Sequence, residues 1–218
     1  MVIDPNTPWH KHPLVVFDTE TTGFPNNGAR IVEIGIACFI GGQCVSTWGT
    51  LLNPGEPIPE SASKIHGITD SDVADAPSFL DVLPAVLYHM SDGWPTAYNA
   101  TFDRAMWRNE MEIADIDLPP HVMFDESLSW LDPLTWIRHI DGGWGNKLTQ
   151  ACKRHGVDIE NAHRATDDAK ATGELIYKVQ DRMPQVSMGD LMIQQWPLCK
   201  QQDDERRAWF KKKGRACV

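Results

Sequence analysis

Two acidic residues, two positions apart, are the first groups in this chain that could carry out chemistry. Asp18 and Glu20 directly follow the apolar run 14–17, Leu-Val-Val-Phe, which is typical of a buried central strand. Residues two apart in an extended chain point to the same side, so both carboxylates project together from the end of that strand. Two like charges placed in this way repel each other, and a divalent cation would relieve the repulsion. Taken alone, the pair also fits a polar loop that ends a strand.

A third acid, Asp103, falls in the first turn of a helix predicted over about residues 101–111. Helix-dipole stabilisation by itself would favour a carboxylate there. The positions three and four residues further on are Met106 and Trp107, which are both large and apolar. Asp103 is therefore aligned with the stripe that faces the core, and a functional role and a helix-dipole role both remain open.

Two adjacent acids lie on a longer helix, predicted over residues 165–180. From Asp167, the positions three or four residues apart form a largely charged face. From Asp168, the same spacing runs through apolar residues, including Leu175 and Ile176. A buried acid needs a partner, and no Lys or Arg shares that stripe. The pattern predicts that Asp167 is solvated and that Asp168 points inward and is the functional acid of the two.

His163 lies five residues before Asp168, just ahead of the same helix. A lone histidine in a loop is more often structural than catalytic, and spacing alone does not decide between these roles. Four inward-directed carboxylates without matching cations suit Mg²⁺ or Mn²⁺, which prefer hard oxygen ligands. Two such ions stabilise the attacking and leaving oxygens of a phosphoryl transfer, and a nearby histidine can deprotonate the attacking water at neutral pH.

The elements that must position these side chains follow from periodicity and turn signals. Three leading strands are predicted over 14–17, 31–40 and 43–52, with Gly41-Gly42 as a hairpin turn and 53–59 as a loop. Helices and one short strand follow: helices over 76–90, 101–111, 148–155 and 165–180, and a strand over 96–98. Gly156 stands where a C-cap glycine belongs. This order indicates a mixed α/β sheet covered by helices.

Composition limits the class of protein. The 218 residues, 42% of them hydrophobic, suffice for one domain with a full core, and nine Trp and seven Phe exclude a disordered chain. No apolar run is long enough to span a membrane, and the first residues lack a signal-peptide pattern, so we expect a cytoplasmic protein. The net charge of −10 argues against a protein that coats long duplexes, but not against an enzyme that grips one strand end.

The C-terminal residues differ in character from the rest. After Trp196 there are seven Lys or Arg and three acids, and we expect this tail, from about residue 188, to be partly helical at best. A solvated terminal segment and a nucleic-acid contact are both compatible with this pattern. The tryptophans include candidates for base stacking, although such residues more often lie in a core; the candidates are at 94, 107, 130, 136 and 144.

Three segments resemble the exonuclease motifs of the DEDD superfamily: FDTETTG (17–23), YNATFD (98–103) and HRATDDA (163–169). The histidine five residues before the last acid marks the DEDDh branch, which includes bacterial proofreading subunits and RNase T. Segment 65–70, IHGITD, is similar to the His-Gly-Ile/Val element of that family. The second motif departs from the family in beginning Tyr98-Asn99, where His-Asn is frequent.

This resemblance implies a fold and a division of the chain. It implies an α/β, ribonuclease-H-like fold in which a mixed five-stranded sheet, with three antiparallel leading strands, is flanked by helices. It covers about residues 12–182, the expected DEDDh exonuclease domain, and leaves 183–218 as a helical and basic tail.

The resemblance also implies the roles of the acids and of the histidine. Asp18 would bridge two Mg²⁺ or Mn²⁺ ions per active site, and Glu20 and Asp168 would complete the site on the side of the nucleophile. Asp103 would act mostly through metal-bound water. His163 would be the general base.

The substrate contacts are implied in the same way. Backbone groups around Thr19 and Thr21 would hold the 3′ end. His66 and Ile68 would touch the terminal nucleotide, with the isoleucine wedged against its base. Asn99 of the second motif would also contact the substrate. The products would be nucleoside 5′-monophosphates.

The function expected from these observations is 3′→5′ exonuclease activity on single-stranded ends, with DNA favoured. The first alternative is an RNA-trimming exoribonuclease similar to RNase T or oligoribonuclease, because we identify no group that reads the 2′-hydroxyl. The second is a non-catalytic nucleic-acid-binding module on the same fold. Degenerate modules should lack at least one acid or the histidine, and all five residues stand here.

A protein partner is a further possibility. A DNA polymerase would fit a proofreading role, and residues 185–190 faintly resemble a sliding-clamp motif. Asp190 stands where that motif needs an apolar anchor, and a helix start capped by Ser187 explains the same residues without a clamp. We favour the helix start. The sequence leaves the oligomeric state open.

Overall fold

The computed structural model describes residues 6–91, 93–116, 130–143 and 146–214. Within these ranges the strands are β1 (Leu14–Thr21), β2 (Ile31–Ile40), β3 (Gln43–Leu51) and β4 (Trp94–Thr96). The helices are α1 (Glu60–His66), α2 (Asp70–Val73), α3 (Phe79–Met90), α4 (Ala100–Ile113), α5 (Pro133–Asp141), α6 (Leu148–His155), α7 (Ala165–Lys178) and α8 (Met188–Lys212).

The four strands form one mixed sheet in the order β3-β2-β1-β4. β2 is antiparallel to both of its neighbours, whereas β4 runs parallel to β1. The prediction of three antiparallel leading strands is confirmed, and Gly41 and Gly42 make the predicted turn with positive φ angles of 56° and 85°. The strand that carries Asp18 and Glu20 therefore lies inside the sheet, with a neighbour on each side.

The prediction of five strands is wrong for the described residues, where the sheet has four. Beyond β4 the next segment makes a single parallel bridge, between Thr96 and Leu131. Two hydrogen bonds flank this bridge: the Ala97 N–H donates to the Leu131 carbonyl, and the Leu131 N–H donates to that of Pro95. Pro133 follows two residues later and opens α5, because proline lacks the N–H that would continue the ladder.

Each face of the sheet is covered by its own group of helices. Leu14 and Val16 of β1 contact a buried cluster supplied mainly by α5, α6, α7 and α8. Val15 and Phe17 point the other way, into a cluster supplied mainly by α3 and α4. Because side chains alternate along a strand, Asp18 and Glu20 continue the first face and Thr19 continues the second.

The helix ends follow local capping chemistry. α6 occupies the predicted residues 148–155, and Gly156 ends it in the left-handed conformation with φ 68°. α3 begins at Phe79, later than predicted, because Ser78 and Asp81 form a reciprocal capping box there.

Other predicted elements begin or end elsewhere, and the helices α1, α2 and α5 were missed. The strand predicted over 96–98 lies at 94–96, and α7 ends at Lys178 instead of 180. α5 was not predicted; Asp132 caps it by accepting a hydrogen bond from the Leu134 N–H at 2.9 Å.

The expectation that the tail is partly helical at best is wrong. α8 runs for 25 residues, and its first half places Met188, Leu191, Met192 and Gln195 in the interior. These positions are three and four residues apart, so they form one buried stripe on the helix. The backbone N–H of Trp9, near the start of the chain, donates to the Val186 carbonyl at 3.1 Å just before this helix. No helix among the described residues is both long enough and apolar enough to span a bilayer.

Candidate active site

Asp18 and Glu20 lie in the last half of β1, on the face of the sheet that α7 covers. Both side chains are partly buried. Burial raises the pKa of Asp18 well above its usual range, and the charges of Asp103, Asp168 and Glu20 raise it further. Asp18 is therefore surrounded by carboxylates that make its own negative charge unfavourable.

Two glycines let α7 approach the sheet closely enough to bring the third motif to these acids. A Cβ on Gly35 would overlap the backbone of Ala165 and Thr166, and one on Gly49 would overlap the Thr166 side chain. Gly35 is paired with Asp18 across β1 and β2. The N-terminal turn of α7 consequently lies directly beside Asp18, because the strands carry no side chains at the contact.

Asp168 points inward from the first turn of α7, as the helical pattern predicts. Its side chain is 9% exposed, and its Oδ2 accepts a hydrogen bond from the His163 N–H at 3.2 Å. Its Oδ1 is buried and has no hydrogen-bond partner in the part of the chain that the structure describes. Burial raises the pKa of Asp168 to about 6, and the His163 N–H opposes this change. Asp167 is partly buried and accepts a hydrogen bond at the surface from Asn161 at 3.0 Å.

Asp103 reaches the same region from the opposite face of the sheet. It lies in the first turn of α4, is 3% exposed, and its Oδ1 accepts a hydrogen bond from the Thr19 hydroxyl at 2.8 Å. Burial raises its pKa to about 7, and the bond from Thr19 opposes the rise. Thr19 therefore holds the carboxylate of Asp103 against the end of β1.

Glu20, His163 and Asp168 converge on one point. Each offers a ligand atom, and these atoms lie within 4.8 Å of one another. Burial raises the pKa of Glu20 to about 8, and the charge of Asp168 is the next largest cause. His163 is exposed and has a positive φ of 69°, which is uncommon for a residue with a side chain. Clustered carboxylates, one with an oxygen that has no partner among the described residues, form a donor set that suits a hard divalent cation.

Glu33 is an additional acid that the sequence reasoning missed. It is 4% exposed, lies opposite Glu20 across β1 and β2, and accepts hydrogen bonds from Arg164 at 2.7 Å and from the Ala165 N–H at 3.1 Å. It thus holds the first residue of α7 and the neighbour of His163. A single acid inside the apolar strand 31–40 was the signal that could have revealed it.

A cleft of about 590 Å³ opens beside the acids. Its lining includes Thr19, Glu20, Thr21, Phe24, Ile65, His66 and Phe102. Two of its apolar side chains are largely exposed, Phe24 at 57% and Ile65 at 60%. His66 is 6% exposed, and its Nδ1 accepts a hydrogen bond from the Ile68 N–H at 3.1 Å.

Two expected substrate contacts do not line this cleft. Ile68 is 4% exposed and belongs to a small buried cluster with Val32 and Ile58, so its side chain is engaged in the core. Asn99 lies at the start of α4 with a positive φ of 68°, and its N–H donates to Asp132 at 3.0 Å. Burial raises the pKa of Asp132 to about 6, and the N–H groups of Asn99 and Leu134 oppose this change.

The tryptophans proposed as stacking platforms are core residues where the structure describes them. Trp94, Trp107, Trp130 and Trp136 are each at most 3% exposed. Trp144 lies outside the described residues. In the segment compared with a clamp motif, Ser187 caps α8 by accepting a hydrogen bond from the Asp190 N–H at 3.1 Å, which confirms the helix start.

Comparison with known proteins relates this site to nucleases. Residues 15–176 match the sequence profile of an exonuclease family of the RNase T type. The PolC-type DNA polymerase III of Caldanaerobacter subterraneus subsp. tengcongensis is 33% identical over 175 residues, which are 80% of this chain and 12% of that protein. The DNA polymerase III subunit epsilon of Buchnera aphidicola is 30% identical over 173 residues, which are 74% of this chain and 70% of that protein.

A solved structure extends the likeness to three dimensions. Exonuclease X, in complex with 5′ overhanging duplex DNA, superposes with a TM-score of 0.62 and 27% sequence identity. The match covers 82% of this chain and 98% of that one. The chain spans only about an eighth of the length of its PolC-type relative, for which the matched share is 12%.

Proposed function

Because this chain belongs to the exonuclease family of the RNase T type, we propose that it is a 3′→5′ exonuclease of the DEDDh kind. It removes nucleotides singly from single-stranded 3′ ends and releases nucleoside 5′-monophosphates. The observation that carries this proposal is that four acids from both faces of the sheet, Asp18 among them, lie close together. Burial of Asp18 and the charges of the neighbouring acids raise its pKa. Acids concentrated in this way disfavour their own ionisation unless cations neutralise them.

We assign the metal-binding role to the four acids of the motifs, Asp18, Glu20, Asp103 and Asp168, which together would hold two Mg²⁺ or Mn²⁺ ions. Two observations support a fit: the buried Oδ1 of Asp168 has no partner among the described residues, and burial raises the pKa of Glu20 to about 8. Bound divalent ions supply positive charge and Lewis acidity to the phosphoryl group under attack.

His163 is the group that we assign to take the proton from the attacking water. Its ring reaches within 4.8 Å of a carboxylate oxygen of both Glu20 and Asp168, and its side chain is exposed, as a base that meets incoming water must be. Its backbone N–H binds Asp168, and its neighbour Arg164 is tied to Glu33. The loop that carries the ring is therefore held at two points.

The cleft gives the terminal nucleotide an apolar binding place. Phe24 and Ile65 present largely exposed side chains there, and Phe24 packs edge-to-face on Phe102 with 6.4 Å between ring centroids. Because Ile68 is buried and Ile65 is not, we assign the base-contacting role expected of Ile68 to Ile65. Thr21 and His66 line the same cleft, and we assign them to contacts with the 3′-terminal sugar.

DNA is the substrate that we favour. The relatives with the matched sequence are named as DNA polymerase III proteins, and exonuclease X was solved with DNA. A role beside a DNA polymerase follows from the same names. The alternative, trimming of RNA, stays open to the experiment below, because stacking and phosphate contacts alone discriminate weakly between the two sugars.

The test is cleavage of 5′-labelled oligonucleotides in Mg²⁺ or Mn²⁺: single-stranded DNA, single-stranded RNA, and duplexes with paired or mismatched 3′ ends. We expect a ladder that shortens from the 3′ end, fastest on single-stranded DNA. Asp168→Ala should abolish the ladder, and its neighbour Asp167→Ala, at the surface of the same turn, is the matched control. Faster loss of RNA would replace the proposed substrate by the alternative.

The absence of cleavage with every substrate and both metals would refute the enzyme and favour a non-catalytic module. Thermal unfolding with Mn²⁺ separates an enzyme from a non-catalytic module. If the acids bind metal, Mn²⁺ should raise the unfolding temperature of the wild type but not that of Asp168→Ala. If the protein is a non-catalytic module, Mn²⁺ should change neither unfolding temperature.

A further inference from the structure

The buried amide of Gln195, on α8, joins the C-terminal helix to the segment that begins at Trp130 and leads into α5. Gln195 is 3% exposed. Its Nε2 donates to the Trp130 carbonyl at 2.7 Å, and its Oε1 accepts from the Asp132 N–H at 2.9 Å and from Trp136 Nε1 at 3.1 Å. A buried amide with this many partners holds them in one arrangement, because each unmade hydrogen bond would leave a desolvated polar group.

Asp132 passes this constraint to the second motif. Its Oδ1 accepts from the Asn99 N–H at 3.0 Å, while its backbone is held by Gln195. Asn99 has a left-handed backbone, with φ 68°, and is the last residue before α4. Asparagine adopts this conformation more readily than other residues with a side chain, and the bond from the Asn99 N–H to Asp132 holds the turn in place.

The geometry of this turn sets the position of Asp103. The Phe102 N–H donates to the Asn99 carbonyl at 2.9 Å, which begins the helical ladder one residue before Asp103. At the other end, the carboxylate of Asp103 is held by the Thr19 hydroxyl at 2.8 Å. A shift of Asn99 would therefore move Asp103 relative to β1 and the other acids.

We propose that Gln195 is a positioning residue for Asp103, acting through Asp132 and Asn99. The proposal rests on the proposed exonuclease function and adds to it a part of the chain beyond residues 15–176, the range that matches the family profile. The C-terminal helix is then a working part of the catalytic unit: its buried stripe anchors it, and Gln195 extends that anchorage to the second motif.

The test compares two variants of the same helix. Gln195→Leu removes all three hydrogen bonds and fills the same interior position with an apolar side chain of similar size. Met192→Ala, one turn earlier in the same buried stripe, loosens the packing of α8 without touching the hydrogen bonds of Gln195. Gln194→Leu, at an exposed neighbouring position, controls for the change of residue type.

We expect Gln195→Leu to lower kcat on single-stranded DNA by about tenfold to a hundredfold at temperatures well below its unfolding transition, the scale of a catalytic group displaced by about 1 Å. KM should change much less. Hydrogen exchange in the peptide 97–103 should speed up in Gln195→Leu. Met192→Ala should lose thermal stability but keep its kcat and its exchange at 97–103 close to those of the wild type.

A Gln195→Leu enzyme with the kcat of Met192→Ala would refute the positioning role, as would faster exchange at 97–103 with an unchanged kcat. Inactive wild-type protein would instead refute the exonuclease function. In that case the exchange measurement still decides, by itself, whether Gln195 holds the Asn99 turn, because it requires no substrate.

Discussion

Replacing the charge of Asp168 by an isosteric amide should make the metal-free protein more stable while it abolishes activity. Burial raises the pKa of Asp168 to about 6, from the usual 3.8. The difference of roughly two pKa units corresponds to at most about 3 kcal/mol of unfavourable charge in the folded state. The amide in the Asp168→Asn variant keeps an acceptor for the His163 N–H and directs N–H groups toward the nearby carboxylate of Glu20.

The sign of this effect depends on pH. Below about pH 4, Asp168 is protonated in the folded and the unfolded chain and has no net effect on stability. Between about pH 4 and pH 6 the unfolded chain releases the proton while the folded chain still binds it, so the free energy of unfolding falls as the pH rises. Above about pH 6 the full destabilisation is present. The asparagine variant avoids this loss.

Thermal unfolding in EDTA at pH 4 and pH 8 measures the effect. We expect Asp168→Asn to unfold up to roughly 6–12 °C above the wild type at pH 8, the shift that about 3 kcal/mol produces in a domain of this size. At pH 4 the two proteins should unfold together. Mn²⁺ should reverse the order at pH 8, because the wild type binds the ion through the carboxylate and the variant has lost that ligand.

Two results would contradict this reasoning. A variant that is less stable than the wild type in EDTA at pH 8 would mean that hydrogen bonds already satisfy the carboxylate. An equal gain at pH 4 and pH 8 would mean that the amide acts through packing and not through charge. Asp167→Asn is the matched control, and it should change neither curve, since Asp167 contacts Asn161 at the surface.

Four further substitutions test other parts of the site. His163→Ala should lower the rate by about 10²–10⁴, the usual scale for a general base, yet keep the Mn²⁺-induced rise in unfolding temperature; loss of that rise would make His163 a metal ligand. Ile65→Ala should raise KM and leave stability unchanged, whereas Ile68→Ala should cost about 2–5 kcal/mol in denaturant unfolding, as for a buried large-to-small change; the opposite pattern would return the nucleotide contact to Ile68. Glu33→Gln should lower kcat, and it should lower the free energy of unfolding by about 1–3 kcal/mol, because the neutral amide accepts weaker hydrogen bonds from Arg164 and from the Ala165 N–H; unchanged values in both assays would remove Glu33 from the supporting structure.

The positions of the inward-pointing acids could be predicted because they depend on local geometry. Asp18 and Glu20 share a face of β1 through the two-residue period of a strand. Asp168, and not Asp167, is the more buried of its pair through the period of a helix. In each case the neighbours that decide the direction of the side chain are themselves close in sequence. The local pattern of apolar residues therefore predicts which way each acid points.

The supporting contacts could not be predicted in this way. Glu33 meets Arg164 from 131 residues away, and Gln195 meets Asp132 from 63 residues away. Nothing in the residues next to Gln195 distinguishes it from Gln194, apart from its place on the stripe that α8 buries. The helical extent of the tail was mispredicted for a related reason: the stripe at residues 188–195 packs against the core and stabilises the helix there.

Sequence alone therefore determined the motifs, the class of chemistry and the direction of each acid, because the spacing of residues in a strand or helix sets which side chains share a face. Only the tertiary structure decided that Ile65 lines the cleft while Ile68 is buried, that α7 lies on Gly35 and Gly49, and that Gln195 supports the second motif. These features depend on which distant segments meet. A buried polar group takes its hydrogen-bond partners, and a buried apolar group its packing partners, from the residues that the fold brings beside it.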